Sequence, residues 1–194
     1  MIKSKEDYEY YLEADRLGML KPKKIPSIFG EEVWKFVRVL RKVEYHVNCK
    51  KGLLNKLILA KSKYRLHQLG IKLGFSIPIN VFGPGLAIFH YGTITVNPNA
   101  KVGKDCQIYT CTNIADGVVI GDKVFIAPGA KIINGVHIAD GIRIGSNALV
   151  NESFLEVNIT IAGVPAKKIS DKGSNDHYIG GTEKLTSSSP VGQD

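Results

Sequence analysis

Cysteine is scarce. Cys49, Cys106 and Cys111 form no paired framework and no CxxC in 194 residues, which argues against a disulfide-stapled scaffold and a zinc site and for a reducing, cytoplasmic setting. Long apolar runs are missing too. No stretch approaches the ~18–20 apolar residues of a membrane span, and the start, MIKSKEDYEYYLEADRL, has no apolar run of signal-peptide length. Signatures of RNP, zinc-finger and basic-zipper proteins are absent, so no nucleic-acid partner is expected despite a net charge of +8. No clustered histidines suggest metal ligands: His90 and His137 stand on different sides of the repeat described below, and no third histidine lies within it.

The charge is unevenly placed. Residues 1–75 carry 17 Lys+Arg against 8 Asp+Glu, and residues 76–194 carry 9 against 10. The basic part reads first as solvated helix faces, and it would also suit an anionic substrate or a peripheral approach to a membrane. Three helices are expected there. Ser4 followed by Asp7 starts the first in capping-box style, over about 4–17. Val33, Trp34, Val37, Leu40, Val43 and Val47 give an apolar stripe over 31–48, and Leu53, Leu57, Ala60, Tyr64, Leu66 and Leu69 give another over 52–73.

After Asn80 the period changes from helical to six. Ten hexads run without a gap from ITVNPN to ALVNES, with Val96, Val102, Ile108, Ile114, Ile120, Ile126, Ile132, Ile138, Ile144 and Val150 at the third position. Alternation within each hexad predicts a short strand, and the Gly, Asn, Asp and Pro that follow predict a turn. Three hexads make one coil of 18 residues, and coils stack in parallel as a hexapeptide β-helix. The expected organisation is α+β: an N-terminal helical region (1–74), the β-helix (75–169) and a flexible polar tail (170–194).

The rhythm breaks once. From Leu86 to Ile94 the step is eight instead of six, so two extra residues bulge from a corner that carries Phe89, His90, Tyr91 and Gly92. Ile88, Ile108, Ile126 and Ile144 then share one face, and the corner after it stacks His90 above Tyr109-Thr110-Cys111, Ala127-Pro128-Gly129, Gly145-Ser146-Asn147 and the region of Ala162-Gly163. At ~4.8 Å per coil this column spans roughly 19 Å, the order of an extended pantetheine arm. Lys167 and Lys168 stand at its far end, where phosphates would lie.

The stretch FGPGLAIFHYGTITVN, the hexads VFIAPGAKI and IRIGSNALV and the closing IAGVPAKKI resemble the hexapeptide-repeat acyltransferases, and most closely their serine acetyltransferase branch. The resemblance covers 75–169 and implies a left-handed coil, acetyl-CoA as donor, no metal and a homotrimer, with a hexamer through the N-terminal helices as a further option. It implies His90 as general base, with Ala127, Pro128, Gly145, Ser146, Ala162 and Gly163 lining the acetyl-CoA channel and Lys167 and Lys168 at its nucleotide end. The chemistry suits a histidine, since a hydroxyl attacks a thioester only as its proton is removed.

Three departures bear on the acceptor. That branch has an Asp directly before the catalytic His that holds the serine and another upstream that orients the imidazole, where this chain has Phe89 and Phe75, and the loop with an Arg and a second His is absent from TNIADGVVIGDKVFI. The leading expectation is therefore O-acetylation of a sugar, glycan or polysaccharide precursor, with Phe89 and Tyr91 stacking on the acceptor. Serine O-acetylation and N-acetylation of an amino-sugar nucleotide are the alternatives within the fold. A non-catalytic trimeric scaffold whose helices bind partners is the alternative of a different class.

Overall fold

The helical pattern gives way to the six-residue pattern at Gly74, and the computed structural model, which describes residues 1–133 and 135–188, changes architecture there. Helix α1 is Lys5–Gly18, α2 is Glu32–Cys49 and α3 is Leu53–Leu73. The Ser4 hydroxyl accepts the Asp7 N–H at 3.0 Å and caps α1, as the spacing predicts. Along α2 the stripe Trp34, Val37, Leu40 and Val43 is buried. No helix among the described residues is long and apolar enough to cross a membrane.

Fourteen short strands, β1–β14 in chain order, follow among the described residues. One face holds β1 (Phe75–Ser76), β3 (Ile94–Val96), β6 (Thr112–Ile114), β9 (Lys131–Ile132) and β12 (Leu149–Val150). A second holds β4 (Lys101–Val102), β7 (Val119–Ile120) and β10 (His137–Ile138). The third holds β2 (Ala87–Ile88), β5 (Gln107–Ile108), β8 (Phe125–Ile126), β11 (Arg143–Ile144), β13 (Thr160–Gly163) and β14 (Ala166–Ser170). All pairs are parallel except β13 with β14, which turn back on each other.

The register is the one the hexads require. Ile88 faces Ile108, Ile108 faces Ile126, Ile126 faces Ile144 and Ile144 faces Ile161. All five side chains are fully buried, each contributing about 1.5–3 kcal/mol by leaving water. Because every inward isoleucine rests on the one below, Ile126→Ala opens a cavity between two layers. It is expected to cost about 2–5 kcal/mol in urea denaturation.

Two expectations need correction. The second helix stripe does not face the core along its length: Leu53, Leu57 and Tyr64 are more than 60 % exposed, and α3 buries only Ser62, Gly70 and Leu73 fully. Contact with the first coil is made by its C-terminal end, where a side chain at Gly70 would meet the Phe75 carbonyl at 2.8 Å.

The polar tail is also ordered as far as Ser188. A short helical turn (Ser174–Asp176) lies on the later coils, where the Ser174 N–H donates to the Gly141 carbonyl at 2.7 Å, and helix α4 (Gly181–Ser188) packs on α1. The start of α4 is tied to the coil at Asp105, which accepts from the Thr182 N–H at 2.8 Å and from the Thr182 hydroxyl. The Tyr178 hydroxyl donates to the Asp105 carbonyl at 2.7 Å, and Lys123 pairs with Glu183 at 2.8 Å. Residues 189–194 of the expected tail lie outside the described residues.

Candidate active site

The eight-residue step leaves β2 at Ile88 and re-enters at β3, and the bulge between them is held by the end of α3. The Gly92 N–H donates to the Leu73 carbonyl at 2.9 Å, and the Ile94 N–H to the Gly74 carbonyl at 3.0 Å. Gly92 has φ of +135°, which a side chain would strain, and an added Cβ would meet Thr110 at 3.1 Å. The bulge thus has no freedom to collapse into the coil, and His90 stands exposed on it.

Around the imidazole the surface is aromatic. Tyr109 lies 6.0 Å from His90 and 5.9 Å from Phe89 between ring centroids. The stack continues through Phe125, 5.2 Å from Tyr109, to the Arg143 guanidinium, 5.4 Å from the Phe125 ring. Partial burial raises the Tyr109 phenol above its ordinary pKa, so it stays protonated as a hydroxyl donor. The Phe125–Arg143 extension was not anticipated; its signal was the outward second hexad position on this face. Asn80 and Asn97, the asparagines nearest His90 along the chain on either side, bond elsewhere: Asn80 pairs with Asn48, and Asn97 accepts from the Asn99 N–H. No side-chain hydrogen bond reaches His90 among the described residues.

Below His90 the predicted corner column is present. The N–H groups of Tyr109, Ala127 and Gly145 donate to the carbonyls of Ile126, Ile144 and Ile161 at 3.1, 3.0 and 2.8 Å, so these residues stack with Ala162 in successive coils. Pro128, Ser146 and Gly163, one residue further, are exposed along the edge. Smallness here also serves packing, because a Cβ on Gly145 would meet that of Ala162 at 2.7 Å.

At the far end, Lys167 lies opposite Ala162 and Lys168 opposite Ile161 on β14. The two are not waiting unpaired: Lys167 bonds Glu152 at 2.8 Å, and Lys168 bonds Glu156 and Asp171 at 2.6 Å each. The hydrogen bonds that its ammonium donates to Asp171 and Glu156 hold the Lys168 pKa above its usual value. These exposed pairs are screened by solvent and weak, so a bidentate phosphate can displace the carboxylates.

On the helix side of the bulge, away from the column, lies a cavity of about 450 Å³ lined by Lys21, Glu31, Glu32, Lys72, Phe89 and Tyr91. Lys21 pairs with Glu31 at 3.4 Å and Lys72 with Glu32 at 3.1 Å. The hydrogen bond from Lys72 holds the Glu32 carboxyl below its ordinary pKa. Charged groups of both signs therefore stand beside the two aromatic residues predicted to touch an acceptor. A larger groove of about 740 Å³ between α3 and the first coil is lined by Ile77, Ile79 and Val96 and includes no residue of the bulge. His137 sits on the second face, as expected, and no group of three potential metal ligands occurs among the described residues.

Residues 99–134 and 117–152 match the bacterial transferase hexapeptide family (six repeats). No curated protein matches the chain. Among solved structures, the chain is similar to serine O-acetyltransferase from Brucella melitensis, at 21 % identity over 87 % of this chain and 71 % of that one, with a TM-score of 0.65. Serine acetyltransferase from Brucella abortus strain S19 in complex with coenzyme A is similar at 22 % identity, over 88 % and 70 %, with a TM-score of 0.64. The Neisseria gonorrhoeae serine acetyltransferase in complex with serine gives 18 %, 86 % and 71 %, with a TM-score of 0.64. The likeness is one of fold: N-terminal helices followed by a parallel β-solenoid.

Proposed function

We propose that this chain is an acetyl-CoA-dependent O-acetyltransferase with His90 as general base. The observation that carries the reading is the placement of His90 on a braced bulge, between a corner column of small residues on one side and a charged, aromatic-edged cavity on the other. The column, from Ala127 and Pro128 through Gly145 and Ser146 to Ala162 and Gly163, fits an extended pantetheine arm, and Lys167 and Lys168 fit the nucleotide phosphates. The thioester supplies the acetyl group. His90 removes the proton of the acceptor hydroxyl as its oxygen forms the new ester bond, and returns it to the thiolate that departs as the C–S bond breaks.

L-serine is the acceptor favoured by the comparisons, since the similar solved structures are serine acetyltransferases and one holds serine. In this chain its ammonium and carboxylate would have to be met by the Glu31, Glu32, Lys21 and Lys72 cluster, because Phe89 stands where that branch has the aspartate that holds serine, and Phe75 stands where it has the one that orients the imidazole. Phe75 is buried edge-on against Phe36, at 5.1 Å between ring centroids. One specific observation favours a sugar hydroxyl instead. The cavity is edged by Phe89 and Tyr91, the latter 76 % exposed, a flank suited to a pyranose face. A homotrimer, in which other copies cover the coil faces, belongs to the same proposal, and sedimentation velocity tests it.

The deciding experiment is thiol release from acetyl-CoA with L-serine and with a panel of sugars and nucleotide sugars. Release with serine supports the first acceptor, and release with sugars alone supports the second. With no release from any acceptor, the enzymatic reading fails.

A further inference from the structure

From Tyr45 to Lys104 inclusive the chain has no Asp or Glu and nine Lys or Arg. Two of these cations, Lys61 and Arg65, share one face of the helical region with Lys35, Arg38 and Lys42 of α2. On α2, Lys35, Arg38, Val39 and Lys42 follow steps of three and four, and on α3 Leu54, Ile58, Lys61 and Arg65 do the same, so each set shares a helix face. The two stripes meet. One groove of about 400 Å³ has Ile25, Ile28, Arg38, Val39, Lys42 and Arg65 in its lining, and a second of about 360 Å³ has Val39, Lys42, Ile58, Lys61 and Arg65. Neither lining contains a carboxylate, and Lys42, Lys61 and Arg65 have no ion pair among the described residues.

The face is apolar at both ends. At the start of α2, Ile25, Ile28 and Phe29 are 72, 86 and 90 % exposed. They are held there, because Lys35 donates to the Ile28 carbonyl and Arg38 to the Lys24 carbonyl. At the α2–α3 turn, Leu53, Leu54 and Leu57 are exposed beside Lys50, Lys51 and Lys56. The length of α2, about 27 Å, separates the two apolar ends, with cations between them.

We propose that this face docks on an anionic lipid bilayer, with Ile28, Phe29 and Leu54 entering the headgroup boundary and Lys42, Lys61 and Arg65 meeting lipid phosphates. The chemistry selects this partner. A second copy presenting the same face would set cation against cation, and a nucleic acid would leave the exposed isoleucines and leucines in water. A bilayer carrying negative headgroups satisfies both sets.

The test is co-sedimentation of the full chain with vesicles of phosphatidylcholine alone and of equimolar phosphatidylcholine and phosphatidylglycerol. Wild-type protein is expected to pellet with the anionic vesicles only, and less at high salt. The exposed double reversal Lys42→Glu/Arg65→Glu is expected to weaken this by about tenfold or more. Lys3→Glu/Lys172→Glu, of the same net charge, should bind as wild type. Ile28→Ser/Phe29→Ser should also weaken binding. The proposal is overturned if wild type shows no dependence on phosphatidylglycerol, or if the two charge variants behave alike. It is equally overturned if Ile28→Ser/Phe29→Ser binds unchanged, which would indicate a soluble polyanion surface. Sedimentation velocity showing that Lys42→Glu/Arg65→Glu splits an oligomer would assign the face to a second copy and also overturn it.

Discussion

His90→Ala is expected to lower acetyl transfer by about 10²–10⁴-fold, the contribution of a positioned general base, while leaving the folded state and acetyl-CoA binding intact. The side chain is exposed, makes no side-chain hydrogen bond among the described residues, and has the Tyr109 ring as its aromatic neighbour. Its removal should therefore change stability by no more than about 0.5 kcal/mol. The separation matters, because a loss of rate without a loss of melting temperature or coenzyme affinity places His90 in the chemical step. Initial rates of thiol release, a thermal melt and equilibrium binding of coenzyme A measure the three quantities. An unchanged rate would remove His90 from the mechanism.

The largest expected effect on stability lies far from the corner, at Arg41. Its guanidinium is fully buried and donates to Asp15 at 2.8 and 3.3 Å, to Glu44 at 3.0 Å, and to the carbonyls of Phe82 and Gly83 at 2.9 and 2.7 Å. The carboxylates reach on into the coil: Asp15 accepts the Leu86 N–H at 2.8 Å, and Glu44 accepts the Asn80 N–H at 2.7 Å. Burial opposes the charge on Arg41, but Asp15 and Glu44 outweigh it and hold the pKa above its ordinary value. One cluster thus joins α1, α2 and the first coil.

Arg41→Met keeps much of the volume but leaves two buried carboxylates and two carbonyls without their donor. The expected cost is about 3–5 kcal/mol, a large share of the roughly 5–15 kcal/mol that holds a domain together. Urea denaturation of the variant checks this. The triple replacement Asp15→Leu/Arg41→Met/Glu44→Leu should recover part of the loss by removing the stranded charges, but not all, since the Leu86 and Asn80 N–H groups then lose their acceptors. A midpoint for Arg41→Met equal to wild type would show that the cluster does not hold the helices to the coil.

The β-helix was legible because its rule is local. A strand of two inward residues and a turn recur every six positions, so neighbours in space sit at a fixed distance in sequence, and the single eight-residue step exposed the His90 bulge as an exception. The helices were legible at Ser4 and along the Trp34 stripe for the same reason. Failures came where the partner lay at no fixed spacing. Nothing in a periodic reading links Arg41 to Phe82, or Asp105 to Thr182, which are 41 and 77 residues apart. The polar stretch 170–188 therefore read as loose chain, although its Thr182 bonds the Asp105 carboxylate with both N–H and hydroxyl.

The sequence alone determined the coil, its register, the corner that carries His90 and the three helices, since each follows from the period of apolar residues over a few turns. Tertiary structure decided what those pieces meet. It turned the outer face of α3 to solvent, folded the polar tail onto α1, paired Lys167 and Lys168 with carboxylates, and set Glu31, Glu32, Lys21 and Lys72 beside Phe89 and Tyr91. Such contacts depend on where whole elements come to rest, which is settled by packing and charge pairing over the entire chain rather than by any local repeat.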